Sequence, residues 1–373
     1  MLTLWLLGPT LIINKSKSNI TLLYIAVSSS VVLTIKTKTY FLFYVFFELS
    51  IIPILIIIFI YGYQPEKLQA ALSLLLYTAV GSLPLLIVIV KDELRITGNI
   101  LLLLPMTLCF IIKSPMYLLH IWLPKAHVEA PVGGSIVLAG VLLKLGSYGL
   151  LLFLPMTILS GLHSLYFRLS IVGGIVGALI CLRQRDIKIL VAYSSVVHMG
   201  VVALGFLRGS ELGYICGIMM VIGHGFASPY LFAMAYCLYL NSHSRLMVNR
   251  NMTIPLMTGL MFGLITLNIG VPPSLGLWSE VLMTKASCFM YGWVWPGLFF
   301  IFLFGVLYNL YLYVSCTHSK FIATFGFLEI HSMAPMFQVV GISYGSFLSL
   351  DLFHLYFLCI PLITSSINTN EQK

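Results

Sequence analysis

Runs of about 20 apolar residues recur along the whole chain, and this repetition limits the possible fold more than any other feature of the sequence. Each run is long enough to cross a bilayer core roughly 30 Å thick as a helix. Only 8% of the 373 residues are charged, against about 25% in an average soluble protein. The sequence therefore predicts an all-α polytopic membrane protein. It excludes soluble enzymes, nucleic-acid-binding proteins and secreted disulfide-rich proteins.

We predict about twelve spans in a single transmembrane domain that covers residues 1–373. The expected spans are 1–13, 19–36, 39–61, 68–90, 99–121, 132–154, 164–182, 187–207, 212–240, 252–290, 294–316 and 336–364. The amino terminus has no basic segment and no small-residue cleavage site, so it is expected to be a retained helix rather than a signal peptide. An Arg-rich transit sequence is also absent, which favours a bacterial protein or one synthesised inside an organelle.

The formal charge of +9 comes largely from short basic loops, which suit anionic lipid headgroups. These loops include Lys15/Lys17, Lys36/Lys38 and Arg183/Arg185/Lys188. More basic residues fall in the odd-numbered loops, a bias that favours an outward-facing amino terminus. The seven cysteines are scattered singly and form no CxxC pair, so neither a metal site nor a disulfide framework is indicated.

Two of the expected spans are interrupted by proline. The fifth carries Lys113-Ser114-Pro115, and the tenth carries Val271-Pro272-Pro273-Ser274 halfway along nearly forty residues. Proline removes a backbone donor and clashes with the preceding turn, so both helices are expected to break there. Broken helices in the two halves of a chain are typical of transport sites built from repeats. The alternative at either position is a plain proline kink.

Ionisable residues deep in apolar runs are the strongest functional signal in the sequence. Six of them lie in six different spans: Glu48, Lys113, Lys144, His198, His224 and Glu280. A charge at the bilayer centre costs roughly 2.5–3.5 kcal/mol on insertion scales, so such residues usually have a partner or a function. Their types suit a proton relay, because histidine can both donate and accept, and a buried Glu–Lys pair can change protonation when one partner moves. A structural Glu–Lys pair and hydrogen-bonded packing histidines are the alternatives.

Other ionisable residues have simpler interpretations. Lys285 and Asp351 lie near expected span ends, where their side chains can reach the interface. Lys125, His127 and Glu129 fall between two expected spans, so we expect them to form a solvated interfacial face.

Two long motifs stand out in the sequence: residues 119–131 read LHIWLPKAHVEAP, and residues 142–149 read LLKLGSYG. Both resemble the antiporter-like membrane subunits of respiratory complex I. Shorter stretches that match the same family are 46–53, 77–84, 181–184, 192–195 with His198, and 243–245. The resemblance covers nearly all of residues 1–316 and implies long helices in two inverted repeats, each with a broken helix.

The resemblance also implies roles for individual residues. Glu48 matches a glutamate that pairs with a lysine across the proton channel, and Lys113 matches that lysine. Lys144 matches the central bridging lysine of the family. Glu280 matches the acid of the second broken helix, where the sister chains 2 and 5 typically carry lysine.

His198 and His224 match histidines on the family's central hydrophilic axis. The chain departs from the family at its start, because its first span resembles the family's third. About two amino-terminal helices are therefore expected to be missing, through reduction of the subunit or because the true start lies upstream of Met1.

The resemblance predicts a proton-translocating subunit of complex I in the mitochondrial inner membrane, synthesised inside the organelle. NADH, FMN, iron–sulfur clusters and ubiquinone would be bound by other subunits, with no cofactor on this chain. Expected partners are chains 2 and 5, supernumerary subunits and lipids such as cardiolipin, with no nucleic acid. Three alternatives stay open: a subunit of a multi-component cation/proton antiporter, an ordinary secondary transporter, and a structural subunit that conducts no protons.

Overall fold

The computed structural model describes residues 18–90, 100–153, 162–242, 244–247, 255–287 and 294–317, and those residues contain helices but no β-strand. The predicted spans 1–13 and 336–364 lie outside the described residues, as do Lys15, Lys17, His243, Cys288, Asp351 and Cys359. The helices of the amino-terminal part are α1 (Ser18–Lys36), α2 (Tyr40–Leu49), α3 (Ile51–Tyr61), α4 (Lys67–Val90), α5 (Ile100–Lys113), α6 (Trp122–Glu129), α7 (Val132–Val137) and α8 (Leu143–Phe153). The remaining helices are α9 (Leu162–Arg183), α10 (Ile187–Leu207), α11 (Glu211–Ser242), α12 (Pro255–Ile269), α13 (Leu275–Ser287) and α14 (Val294–Thr317).

Eight stretches of the described residues are long and apolar enough to cross a membrane. Each coincides with a predicted span to within a few residues, which confirms the polytopic all-α class. The two proline-interrupted spans and the two outside the described residues make up the rest of the expected twelve. Cys216 and Cys237 lie buried on one helix, α11, as small apolar side chains are expected to.

The first broken helix ends where the sequence predicts. Helix α5 ends at Lys113, and α6 begins only at Trp122. Pro115 has no backbone N–H to continue the helix. The indole of Trp122 donates to the carbonyl of Ile112 at 3.1 Å, so one carbonyl released by the break is satisfied by a side chain. This is the protein-lined environment that irregular backbone requires at membrane depth.

The second broken helix also follows the prediction. Helix α12 ends at Ile269, and the next residue, Gly270, has a φ of +84°, the left-handed conformation that glycine adopts most easily. The chain then turns through Pro272 and Pro273. Helix α13 begins after Ser274, whose hydroxyl accepts a hydrogen bond from the Leu277 N–H at 3.4 Å.

The predicted sixth span contains a π-helical turn that the sequence did not predict. Between α7 and α8, Leu138–Leu142 form a π-helical turn, so the predicted sixth span is continuous but locally widened. Such turns occur frequently at functional sites. The next turn carries Lys144.

Helices α10 and α11 pack against each other at the centre of the described structure. Helix α9 and the two segments α6 and α8 contact α10, while α7, α12 and α13 contact α11. Nearly all of α10 is buried, whereas α3 and α4 keep many apolar side chains exposed on one face. The central pair carries the two predicted histidines, His198 and His224, and the outer helices α3 and α4 present apolar faces to their surroundings.

Candidate proton-translocation site

The first group of buried charges lies where α2 meets the end of α5. The Lys113 ammonium donates a hydrogen bond to the Phe47 carbonyl oxygen at 2.8 Å and lies 3.1 Å from the centroid of the Phe47 ring. Glu48, the next residue on α2, interacts electrostatically with Lys113. Its Oε1 is buried and has no hydrogen-bond partner among the described residues. The expected Glu48–Lys113 pair is thus a through-space interaction, and the direct contact of the lysine is a backbone carbonyl.

A glycine brings α8 close to the first broken helix. A Cβ at Gly146 would lie 2.6 Å from the backbone N of Ser114 and 2.9 Å from the carbonyl carbon of Lys113. Real side chains do not approach a backbone this closely, so only glycine fits here. The close approach fixes the turn that carries Lys144 against the turn that carries Lys113.

Lys144 forms the best-defined contact of the site. Its Nζ lies 2.8 Å from Nδ1 of His224 on α11 and 2.5 Å from the carbonyl oxygen of Ala139. Ala139 belongs to the π-helical turn. Lys144 and His224 are both buried, with exposed fractions of 9% and 3%. The structure therefore joins two of the predicted residues directly.

The two predicted histidines are neighbours. The ring centroids of His198 on α10 and His224 on α11 lie 5.4 Å apart, tilted by 42°. His198 also interacts electrostatically with Lys144. Nε2 of His224 is buried and lacks a hydrogen-bond partner in the part of the chain that the structure describes. Lys144, His224 and His198 thus form one polar group that spans three helices.

Glu280 lies beside the second broken helix. A Cβ at Gly270 would lie 3.4 Å from its Oε1, which places the carboxylate against the end of α12. Its electrostatic neighbours are Cys216 on α11 and Tyr308 on α14. The Tyr308 hydroxyl lies 3.4 Å from Nε2 of His198. Glu280 is therefore near the central group but separated from the histidines by the tyrosine.

Residues 37–307 match the family model described as "NADH:quinone oxidoreductase/Mrp antiporter, TM". The chain belongs to this family. It is 42% identical over 310 residues to NADH-ubiquinone oxidoreductase chain 4 of Ceratitis capitata, which covers 78% of this chain and 69% of that relative. It is also 42% identical over 312 residues to the chain of the same name in Artemia franciscana, with 80% of each covered.

A solved structure shares the fold of this antiporter-family chain. In respiratory complex I from Thermus thermophilus with bound NADH, one chain superposes with a TM-score of 0.84 and 23% sequence identity. The match covers 95% of this chain and 80% of that chain. The resemblance inferred from the LHIWLPKAHVEAP motif is thereby confirmed at the level of the family.

The prediction that Lys125, His127 and Glu129 form a solvated face is wrong for two of the three. Lys125 is exposed, but His127 and Glu129 are 0% and 3% exposed because α6 folds into the protein instead of lying at its surface. The His127 ring stacks on Phe232 with centroids 4.3 Å apart. Neither nitrogen of this ring has a hydrogen-bond partner among the described residues.

Lys188 is a further buried cation of this antiporter-family chain. It is the second residue of α10, and its ammonium donates to the carbonyl oxygens of Ala130 at 3.2 Å and Val128 at 3.4 Å. It also interacts electrostatically with Glu129 and with His127. The sequence analysis assigned Lys188 to a basic loop because it is only the second residue of the predicted span 187–207. Its burial becomes visible only in the structure, where α6 packs against it.

Sequence reasoning also missed Tyr308 and an asparagine pair. The Nδ2 of Asn268 donates to the Oδ1 of Asn309 at 2.9 Å, which links α12 to α14 at a buried position. These residues are uncharged, so a search for intramembrane charges does not find them. Among the residues that the structure describes, no three His, Cys, Asp or Glu side chains cluster as a metal site would require.

Proposed function

We propose that this chain is a proton-translocating membrane subunit of respiratory complex I in the mitochondrial inner membrane. Membership of the antiporter family and the names of the 42% identical relatives support this assignment. The observation that carries the proton role is the buried hydrogen bond between Lys144 Nζ and His224 Nδ1 at 2.8 Å. It joins two groups that can each hold or release a proton, in the middle of a membrane helix bundle.

The chemistry of this contact favours proton transfer over a static role. A charged ammonium can only donate, so Nδ1 of His224 must accept, and the proton of the neutral ring is then on Nε2. A proton added to Nδ1 removes the acceptor and requires Lys144 to be neutral or to turn away. The pair therefore holds one transferable proton in two alternative positions.

The proposed path connects this pair to the two acids. A change at Glu48–Lys113 shifts the electrostatic potential at Lys144, whose helix is fixed against the first break by Gly146. The proton then passes among Lys144, His224 and His198, and Glu280 exchanges it at the second break. Electron transfer elsewhere in the complex acts on these residues only through neighbouring subunits, as coupling between separate sites requires.

The remaining parts of the proposal concern partners and location. NADH, FMN, iron–sulfur clusters and ubiquinone would be bound by other subunits, since this sequence carries no motif for such groups. The exposed apolar faces of α3 and α4 suit the antiporter-like chains 2 and 5, supernumerary subunits and lipids such as cardiolipin. Synthesis inside the organelle agrees with the strong hydrophobicity of the chain.

The test is proton pumping per NADH oxidised in vesicles that contain the intact complex, with Lys144→Ala. The matched control is Lys285→Ala, which removes an exposed lysine near the end of α13. We expect the Lys144 variant to assemble but to lose coupled turnover and pumping, whereas the Lys285 variant keeps both. Unchanged pumping in an assembled Lys144→Ala complex would show that the chain is a scaffold.

A second measurement separates complex I from a cation antiporter. The chain is purified in mild detergent, and its associated subunits are analysed for flavin and iron–sulfur clusters. We expect both groups to co-purify with NADH oxidation activity. Purification with antiporter subunits alone, together with sodium-dependent proton exchange, would contradict the assignment to complex I.

A further inference from the structure

Tyr308 has an unusual position in α14. Much of this helix exposes apolar side chains, including Phe299 at 62%. Its buried side is a narrow strip of mainly small and apolar residues, and within it Tyr308 is 0% exposed. A buried tyrosine hydroxyl normally requires a hydrogen-bond partner, so its presence at this depth calls for one.

The hydroxyl has two partners, the Asn309 side chain and a residue of the proposed path. Tyr308 Oη lies 3.4 Å from Nε2 of His198, at the long end of the hydrogen-bond range. Tyr308 also interacts electrostatically with Glu280. The side chain thus lies between α10, which carries the histidine, and α13, which carries the acid.

No other described side chain is equally suited to join His198 to Glu280. Cys216 is the second electrostatic neighbour of Glu280, but its thiol donates to the Ser279 carbonyl at 3.0 Å. Asn309 hydrogen-bonds both Asn268 and the Tyr308 hydroxyl, but an amide has no readily transferred proton. A phenol both donates and accepts, so it can receive a proton on one side and release its own on the other.

We propose that the Tyr308 hydroxyl carries the proton between His198 and Glu280, which deepens the proposed function and rests on it. The protonated His198 ring gives its Nε2 proton to the phenol oxygen. The phenol gives its own proton to the Glu280 carboxylate, directly or across one water. One O–H bond forms as another breaks, so the tyrosine stays neutral and His198 becomes neutral. Rotation of the hydroxyl about the C–O bond restores the starting arrangement.

The test replaces the hydroxyl alone. In the intact complex, Tyr308→Phe keeps the ring and its packing, and Tyr230→Phe is the control. Tyr230 is 3% exposed, and its hydroxyl has no hydrogen-bond partner among the described residues. It lies six positions after His224 on another face of α11. Both variants lose one buried hydroxyl, but only one loses a link in the path.

The readouts are proton pumping, coupled NADH:ubiquinone turnover and NADH oxidation by an artificial acceptor that bypasses the membrane arm. We expect Tyr308→Phe to lower coupled turnover and pumping by about tenfold or more, since a positioned proton carrier contributes on the order of 10²–10⁴-fold to its step. Artificial-acceptor activity should stay unchanged, and Tyr230→Phe should behave as wild type. Tyr308→His restores a group that donates and accepts, and we expect it to recover part of the lost pumping.

Comparison with Lys144→Ala separates the two proposals. If Lys144→Ala abolishes pumping and Tyr308→Phe does not, the path is real and the tyrosine is not part of it. If neither variant changes pumping, the proposed function itself is wrong. If Tyr308→Phe prevents assembly, Tyr308→Met, which also lacks a hydroxyl, is compared with Tyr308→His instead, and equal pumping by these two variants would overturn the role of the tyrosine.

Discussion

Lys144 on α8 and His224 on α11 are joined by a 2.8 Å contact between Nζ and Nδ1, so the lysine at the centre of the bundle has an imidazole as its partner and not a carboxylate. Most buried cations are paired with an acid. A lysine whose side-chain partner is an imidazole has no carboxylate in direct contact, which supports the proposed role of the pair in proton transfer.

Two substitutions of His224 distinguish a structural hydrogen bond to Lys144 from a role in proton transfer. His224→Leu removes the acceptor of a buried ammonium, and we expect a loss of about 1.5–3 kcal/mol, the range for hydrogen bonds to charged groups. His224→Asn keeps an acceptor oxygen near the position of Nδ1 but cannot titrate. We expect the Leu variant to lower the thermal midpoint of the complex and the Asn variant to assemble without pumping. Pumping by the Asn variant at the wild-type rate would exclude a proton on His224.

Glu48→Gln tests the acid at the other end of the path. Gln has the same shape and can still accept the hydrogen bond from the Ser82 side chain, and Oε1 of Glu48 has no partner among the described residues, so the change should leave assembly intact. We expect coupled turnover to fall several-fold because the amide cannot bind or release a proton. Glu66→Gln, at an exposed position between α3 and α4, is the control. Equal turnover in the two variants would remove Glu48 from the path.

Gly146→Ala tests the close approach between α8 and the first break. The added Cβ would lie 2.6 Å from a backbone nitrogen that cannot move independently of the helix. We expect a destabilisation of about 1–3 kcal/mol, the usual range for overpacking. Less assembled complex and a lower thermal midpoint would follow. Gly259→Ala, which has no atom within 4 Å of its added Cβ, should assemble normally.

Trp122→Phe tests how the broken backbone is satisfied. The indole of Trp122 is the donor to the Ile112 carbonyl, and phenylalanine leaves that buried oxygen unpaired. We expect a loss of about 1–3 kcal/mol, measured as a lower temperature of irreversible inactivation. Trp295→Phe, at a 45% exposed position of α14, should change the inactivation temperature little. Equal effects in both variants would show that the indole hydrogen bond contributes no stability.

The sequence was sufficient to predict the spans among the described residues and both breaks, because apolar length and proline are local signals. Helix α10 has the limits expected from the sequence, and α5 ends at the predicted Lys113. The intramembrane charges were also visible, since each stands alone in an apolar run. The direct contact between Lys144 and His224 could not be predicted from the sequence, because it depends on how two helices that are distant in the chain are rotated against each other.

The features that the sequence did not predict depend on tertiary structure and not on local sequence. His127 and Glu129 follow a proline-containing break, and only the tertiary structure decides whether such a segment lies at the surface or folds inward. Tyr308 carries no charge and is one of 20 tyrosines, so nothing in its local sequence distinguishes it. The π-helical turn beside Lys144 adds one residue to a helix without a proline or a glycine pair that would mark it.

The hydrogen-bond partner of Lys113 is a carbonyl and not a carboxylate, and this affects how far the electric field of the lysine reaches through the bundle. A cation in contact with its counter-ion forms a compact dipole, whose field decays quickly. Lys113 is hydrogen-bonded to the Phe47 carbonyl and Lys144 to the His224 ring, so neither ammonium has a carboxylate as its direct hydrogen-bond partner among the described residues. Two unit charges about 10 Å apart at an effective dielectric constant of about 20 interact by roughly 1.7 kcal/mol, more than a tenfold change in an equilibrium constant. A single protonation event can therefore bias distant residues without any movement of the backbone.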